Sequence, residues 1–521
     1  MDTLRADNVN LTIVSSPAVR ANTVQIFNSP LHVERAVMST AFYGQDAYSV
    51  GPLTVIGGIR WERIEGYLPA QITPASPYFP DGLLFKGVSI NNVVQDYTVQ
   101  KSFPAVRQDP LWHNWGPRVS GTYDVSGRGK TVLKASWGRY LDQINTGTPP
   151  NPNANINQVY GWNDVNGDFI FQPGNAAWDG LKYVGGEFGA LQQTNNLAVA
   201  VFDKTLRRPF RNETTVSVDH ALYPTILLSV SYFHTRERDV QGTVDQNIDL
   251  WNTLFTPITL TDPGRDGVLG TSDDRPLTVY NQNQTGTVTS PKTVNDDRLA
   301  QRYNGLDIVV NRRYSNGWQM LAGYTYSHTK VDLTSLSTPN NAFVNAAGES
   351  GGRRHNFKLS GAYDLPHGIL LGVGFRLNSG LPITRTWAIQ TCSATVTSNC
   401  VRQTIANPGV NAEPRGSVEL PWLPTLDMRG GRRFNIGGGK QIELSVDAYN
   451  LTNANTTFAV RTTTGTSSIR VAGDPAAPIT QIASFLSPTS VLSPRVIRLN
   501  VTYKFGGFGG VSTGIGSGVG Q

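Results

Sequence analysis

Gln441-Ile442-Glu443-Leu444-Ser445-Val446-Asp447-Ala448-Tyr449 alternates without a slip: Ile442, Leu444, Val446 and Ala448 fall on one side of an extended chain, and Gln441, Glu443, Ser445 and Asp447 on the other. Successive side chains of a β-strand point to opposite faces, so this stretch offers one face to an apolar medium and one to water. A helix would scatter the same residues around its circumference. The pattern recurs at Ile497, Leu499, Val501, Tyr503 and Phe505 against Arg498, Asn500, Thr502 and Lys504. It recurs again at Ile369, Leu371, Val373, Phe375 and Leu377, and at Trp318, Met320, Ala322, Tyr324 and Tyr326. Each run is about as long as the 9–11 residues that a tilted strand needs to cross a bilayer.

Thirteen such strands are predicted, near 35–50, 53–65, 113–124, 130–142, 210–222, 225–238, 301–314, 317–330, 354–364, 368–380, 424–435, 440–451 and 494–505. Their connections alternate in length. Short turns fall at Gly51-Pro52, Ser126-Gly127, Tyr223-Pro224, Ser315-Asn316-Gly317, Pro366-His367-Gly368 and Gly437-Gly438-Gly439, where Gly, Pro and Asn supply turn geometry. Long segments, 66–112, 143–209, 239–300, 331–353, 381–423 and 452–493, join the other ends. Short turns at one end and long loops at the other predict an all-β, antiparallel, up-and-down transmembrane β-barrel with its turns in the periplasm and its loops outside the cell. A soluble β-sandwich joins its strands by loops of a few residues, and a propeller needs a repeat of about 40–50 residues, which this chain lacks. Trp61, Tyr67, Trp115, Trp137, Tyr140, Trp318, Tyr326 and Trp422 are read as interfacial girdles near strand ends.

Composition agrees. Hydrophobic residues make up 39% and charged residues 16%, with 53 glycines, a balance for many strands and polar loops rather than charged helical domains. No run of about 18 apolar residues is present, which excludes a helical span and says nothing against a barrel. The net charge of +6 is scattered, without the basic, aromatic-lined stripe of a nucleic-acid groove. Residues 1–10 lack the basic and apolar regions of an export signal, so the start is read as truncated. Cys392 and Cys400, in one Thr/Ser/Asn-rich stretch, suit a local disulfide in an oxidising compartment, with two free thiols as the alternative.

Candidate chemistry is sparse. The histidines at 32, 113, 220, 234, 328, 355 and 367 are dispersed, with no metal-ligand spacing, and are read as girdle or surface residues. Gly348-Glu349-Ser350-Gly351-Gly352 matches G-x-S-x-G literally but precedes a strand inside a loop, so Ser350 is not expected to be a nucleophile and no enzymatic activity is expected. Two acidic loop stretches could hold a structural calcium ion through closely spaced oxygens: Asp164, Asn166 and Asp168, and Asp262, Asp266 and Asp273 with Gly267 between. Solvated acidic turns are the plainer reading of both, and no other cofactor is expected. The polar face of the strands collects Arg60, Arg118, Lys134, Asp219, Asp307, Lys358, Arg376, Asp427, Arg429, Glu443, Asp447 and Arg498, the lining expected of a lumen.

Several stretches resemble TonB-dependent receptors, in particular the Oar-like group that carries a carboxypeptidase-regulatory-like domain. The resemblance runs through Phe42-Tyr43-Gly44-Gln45-Asp46-Ala47-Tyr48 with Gly58-Ile59-Arg60-Trp61-Glu62, and Trp115-Gly116-Pro117-Arg118-Val119 with Lys130 to Tyr140. Tyr303-Asn304-Gly305-Leu306, Gly323-Tyr324-Thr325-Tyr326-Ser327 and Asp447-Ala448-Tyr449-Asn450-Leu451-Thr452-Asn453 continue it, so it covers about 35–505. It implies a 22-stranded barrel closed by an amino-terminal plug and coupled to TonB. Neither plug nor TonB box is present, and counting back makes these the last thirteen strands, with the start in an extracellular loop midway round the barrel. The terminal strand, with Leu499, Val501, Tyr503 and Phe505, resembles the assembly signal of outer-membrane proteins.

The expected organisation is therefore 1–34 as a loop or incomplete strand, 35–505 as a partial barrel, and 506–521 as a flexible Gly-rich tail. The implied function is energised uptake of a ligand across the outer membrane; a non-transporting surface protein for adhesion or secretion is the alternative. The implied partners are outer-membrane lipids and lipopolysaccharide, the barrel assembly machinery, the TonB complex through a missing amino-terminal part, and a ligand of unknown chemistry, with no nucleic acid.

Overall fold

The computed structural model describes residues 33–73, 100–145, 201–245, 255–282, 291–389 except 337, 409–464 and 485–505. It also describes the shorter stretches 3–6, 9–12, 23–27, 88–90, 93–95, 157–165, 187–194 and 397–401, and single positions 149, 153, 167 and 392.

One antiparallel sheet dominates. Its strands are β1 (Ala36–Val50), β2 (Leu53–Leu68), β3 (Val106–Asp124), β4 (Thr131–Leu141), β5 (Phe210–Tyr223), β6 (Ile226–Arg238) and β7 (Arg302–Ser315). They continue as β8 (Trp318–Val331), β9 (His355–Leu365), β10 (Ile369–Asn378), β11 (Leu423–Gly437), β12 (Lys440–Tyr449) and β13 (Val496–Lys504). Each pairs with its neighbour in sequence, with the two-residue strand Gly348–Glu349 added beside β8. This is the meander expected from the alternation, strand for strand.

The main departure is at β2 and β3, which run to Leu68 and begin at Val106, beyond the expected 65 and 113. Gln108-Asp109-Pro110 interrupts the alternation, and the register shifts between Arg107 and Leu111. A bulge hid the outer part of the strand from a reading by period. Turn chemistry behaves as expected: Asn316 and Gly317 both take positive φ, 52° and 84°, as a tight two-residue hairpin turn requires.

Register sorts the side chains. Directly opposed residues share a face, and the pairs Arg118↔Gly138, Lys134↔Ser217, Asp219↔Ser229, Ser231↔Asp307, Lys358↔Arg376 and Arg429↔Asp447 join one charged face across the sheet. The other face is apolar and open: Leu499 is 78% exposed, Val501 74% and Phe42 67%. A sheet that leaves so continuous an apolar face uncovered needs a hydrocarbon medium. Tyr140 is a correction to the girdle reading. It sits two residues from Gly138, on the charged face, under the Arg118 guanidinium at 4.5 Å. Trp61 and Trp115 are opposed on the apolar face but lie mid-strand, because β2 and β3 are longer than expected.

The long connections are not bare loops. They carry small sheets of their own, such as Phe255–Asp262 with Arg275–Gln282, and Thr386–Ala388 with Gly409–Asn411. Within 1–34, Thr3–Ala6, Val9–Thr12 and Thr23–Phe27 form strands that join Asn157–Trp162 and Phe188–Thr194 in a separate five-stranded sheet. The tail 506–521 lies outside the described residues.

Candidate functional site: the lumen wall and the loop cap

The charged face is densest at its carboxyl-terminal end. Glu443 accepts from Arg429 at 3.0 Å and from Arg433 at 3.1 Å, while Asp447 accepts from Arg498 at 2.8 Å and from Asn500 at 2.8 Å. Arg429 also reaches Asp447, at 3.4 Å, so three arginines share two carboxylates. On the other half, Lys134 meets Asp219 at 2.7 Å. Lys358 and Arg376 stand directly opposite each other and have no carboxylate partner among the described residues. The polar lining thus combines neutralised ladders with uncompensated cations.

Above the wall, the loops build the apolar cores that the wall lacks. Leu260, Val279, Val344, Trp387, Ile389, Val401 and Val410 form one cluster from three different connections. Val244, Leu333, Leu336, Ala342 and Ala346 form a second, and Ile383, Val418 and Leu420 a third. Loop is tied to loop by backbone as well: Thr386↔Thr463 is a parallel pair, and Asn345 and Asn411 exchange amide bonds of 2.9 and 3.1 Å.

Arg385 is the hub. It is 2% exposed and its guanidinium binds the Asp262 carboxylate, also 2% exposed, the Gly264 carbonyl at 2.8 Å and the Thr464 hydroxyl at 2.8 Å. Its Nε donates to Glu413 at 3.0 Å, and Glu413 takes a second, bidentate arginine, Arg265, at 3.0 and 2.8 Å. Burial alone would depress the Arg385 guanidinium, but Asp262 and Glu413 outweigh it and raise it. Hydrogen bonds from Arg265, against the opposing effect of burial and with those from Arg385, hold Glu413 down to about 2. A cavity of about 620 Å³ opens beside this hub, lined by Arg275, Asn345 and Ser417 among others.

The acidic candidates have other partners here. Asp262 is the counter-ion of Arg385. Asp273 is held low by the Thr271 hydroxyl at 2.7 Å and by the Arg265 backbone N–H at 2.6 Å, and Asp266 accepts from the Val268 N–H at 2.8 Å. Gly264 has φ +68°, and a Cβ there would enter the Asp273 carboxylate. Asp262, Asp266 and Asp273 are therefore not gathered as a ligand set, and no group of three or more His, Cys, Asp or Glu among the described residues could hold a metal ion. Asp164 caps the Gly167 N–H at 2.8 Å; Asn166 and Asp168 lie outside the described residues.

Cys392 and Cys400 form a disulfide of 2.07 Å, and Asn399 beside it exchanges two bonds, 2.8 and 3.0 Å, with the Thr261 backbone next to Asp262. Ser350 follows the two-residue strand Gly348–Glu349 and leads into β9, with no helix after it. Leu499, Val501, Tyr503 and Phe505 lie on the apolar face at the sheet's β13 edge.

The sequence matches a family model described as an outer membrane beta barrel domain over residues 20–373. The chain belongs to this family. Its charged face is accordingly the lumen face of an outer-membrane protein, and its apolar face meets lipid. It is also similar to the TonB-dependent transporter Oar of Myxococcus xanthus, 20% identical over 394 residues, which cover 66% of this chain and 32% of that protein. The chain thus spans about a third of that curated relative. Among solved structures it is similar to the FrpB iron transporter of Neisseria meningitidis (F5-1 variant), with a TM-score of 0.42 and 9% identity, covering 93% of this chain and 54% of that one. It is likewise similar to the siderophore receptor PiuA of Acinetobacter baumannii, with a TM-score of 0.41 and 11% identity, covering 92% and 44%.

Proposed function

We propose that this chain forms part of the wall and the outer cap of a TonB-dependent transporter, which takes up a ligand across the outer membrane at the expense of inner-membrane energy. One observation carries the reading: a continuous charged lumen face lies beneath loops that fold into a cap with its own cores and a cavity beside Arg385. An anchor that only held the chain in the membrane would need neither. The uncompensated Lys358 and Arg376 face whatever occupies the lumen, an acidic plug surface or a passing solute. The similarity to a transporter described as TonB-dependent supports the same reading.

The test is to compare solute depletion from the medium by cells with the full-length protein, cells lacking it, and cells lacking the TonB complex. A solute taken up only when both are present is expected. Equal depletion in all three strains, together with loss of cell adherence or of a secreted product in the knock-out, would replace transport by the surface role.

A further inference from the structure

Three cations on the lipid-facing side of the wall occupy one cross-strand row. Arg236 on β6 lies directly opposite Arg302 on β7, and Arg302 directly opposite Lys330 on β8. Like charges so placed on one sheet face repel and destabilise the pairing. Counter-charge within the protein is incomplete. Arg302 has Asp332, but Arg236 and Lys330 are exposed and their side chains have no partner among the described residues. Glu349, opposite Lys330 in register, is taken by Arg354 and His328. Other cations near this height are satisfied internally: Arg63 by Glu65 at 2.7 Å, Arg238 by Asp297 at 2.8 Å, and Arg139 over the Phe210 ring at 4.2 Å.

What lies below the row defines its setting. The next rows on the same face, moving toward the short turns, are His234–Asn304–His328, Tyr232–Leu306–Tyr326 and Val230–Ile308–Tyr324. Two rows further on, Ile226–Arg312–Met320 ends the series, with the Arg312 guanidinium 3.7 Å over the Trp318 ring. Arg236 and the Ile226–Arg312 pair are ten residues apart along β6, about 33 Å of strand. At a tilt of 35–45° that is roughly 23–27 Å along the membrane normal, the height of the apolar band of such a barrel. The cation row therefore stands at the outer-leaflet headgroup level, on the loop side, with tyrosines just beneath.

We propose that Arg236, Arg302 and Lys330 bind the phosphate groups of a glycolipid headgroup in the outer leaflet. Phosphate oxygens accept the guanidinium forks and the ammonium, and their charge removes the repulsion along the row. Acyl chains attached to that headgroup would lie on the apolar rows below, a contact free phosphate cannot make, so the occupant is a lipid.

The experiment uses the full-length protein in detergent, titrated with diphosphorylated lipid A, with the same lipid stripped of phosphate, and with inorganic phosphate, read by native mass spectrometry. Wild type is expected to retain the diphosphorylated lipid over the stripped one, and the triple variant R236Q/R302Q/K330Q to lose it by about ten-fold or more, the worth of one charge-assisted contact. The R312Q variant, at the opposite girdle, should retain it. If the triple variant fails the gel-shift test of a folded barrel, R236Q and K330Q alone are read, since neither side chain has an internal partner to lose. Equal binding by the variants, indifference to phosphate on the lipid, or full displacement by inorganic phosphate would each overturn the proposal.

Discussion

The wall and the cap are stabilised in opposite ways. The wall exposes its apolar side chains, Leu499 at 78% and Val501 at 74%, and is held by register and by surrounding lipid, whereas the cap buries Val279, Val401 and Val410 to 2% or less around a charged hub. The difference teaches where a single charge matters. In the cap, Arg385 and Asp262 are both removed from water, so each depends on the other. On the wall, Arg429, Arg433 and Arg498 are 36–57% exposed and share their carboxylates, so no one of them is indispensable.

The largest effect is expected from Arg385→Ala, which strands a buried carboxylate at a cost of about 3–5 kcal/mol. Proteolysis and hydrogen exchange should show the connections around residues 255–282 and 379–422 opening, while the heat-modifiable band of the folded wall persists. A variant whose wall also melts would mean that cap and wall are one cooperative unit. Next is the wall itself: Val446→Arg, on the lipid face, should cost roughly 2–4 kcal/mol in denaturant titration in lipid, against less than about 1 kcal/mol for Arg429→Gln on the lumen face. Similar losses for the two would show that the faces are assigned wrongly.

The smallest effect is one of pH. Glu413 titrates at about 2 in the folded cap against an ordinary 4.5. A depressed carboxyl stabilises the fold above its ordinary value, and that contribution disappears as pH falls from 4.5 toward 2. It amounts at most to on the order of 3 kcal/mol. Hydrogen exchange in the cap should therefore accelerate over that window, and E413Q should flatten the dependence. An unchanged profile in E413Q would place the acid sensitivity on another carboxylate.

Strands were legible because a two-residue period is local. All thirteen wall strands, and the face assigned to each of Arg60, Lys134, Asp307 and Asp447, followed from alternation. The cap was not, because its contacts are distant in sequence: Arg385 and Asp262 are 123 residues apart, and no periodicity links them. The acidic pattern at Asp262, Asp266 and Asp273 suggested oxygen ligands, yet neither the incoming arginine nor the backbone N–H groups that take up Asp273 can be read from spacing. Tyr140 was misplaced for a different reason. Aromatic identity and nearness to a strand end suggest a girdle, but parity along the strand decides the face.

The tight Asn316-Gly317 turn also sets a rule for length variation. One residue added within β7 or β8 would rotate every side chain beyond it to the opposite face, driving Asp307 or Thr325 toward hydrocarbon and Leu306 into water. The same insertion between the small strands of the long connections would lengthen a link there without turning any face of the wall. Insertions, grafted peptides and epitope tags should therefore be accommodated at one pole of the molecule alone, which makes the cap the place to engineer and the hairpin turns the place to leave untouched.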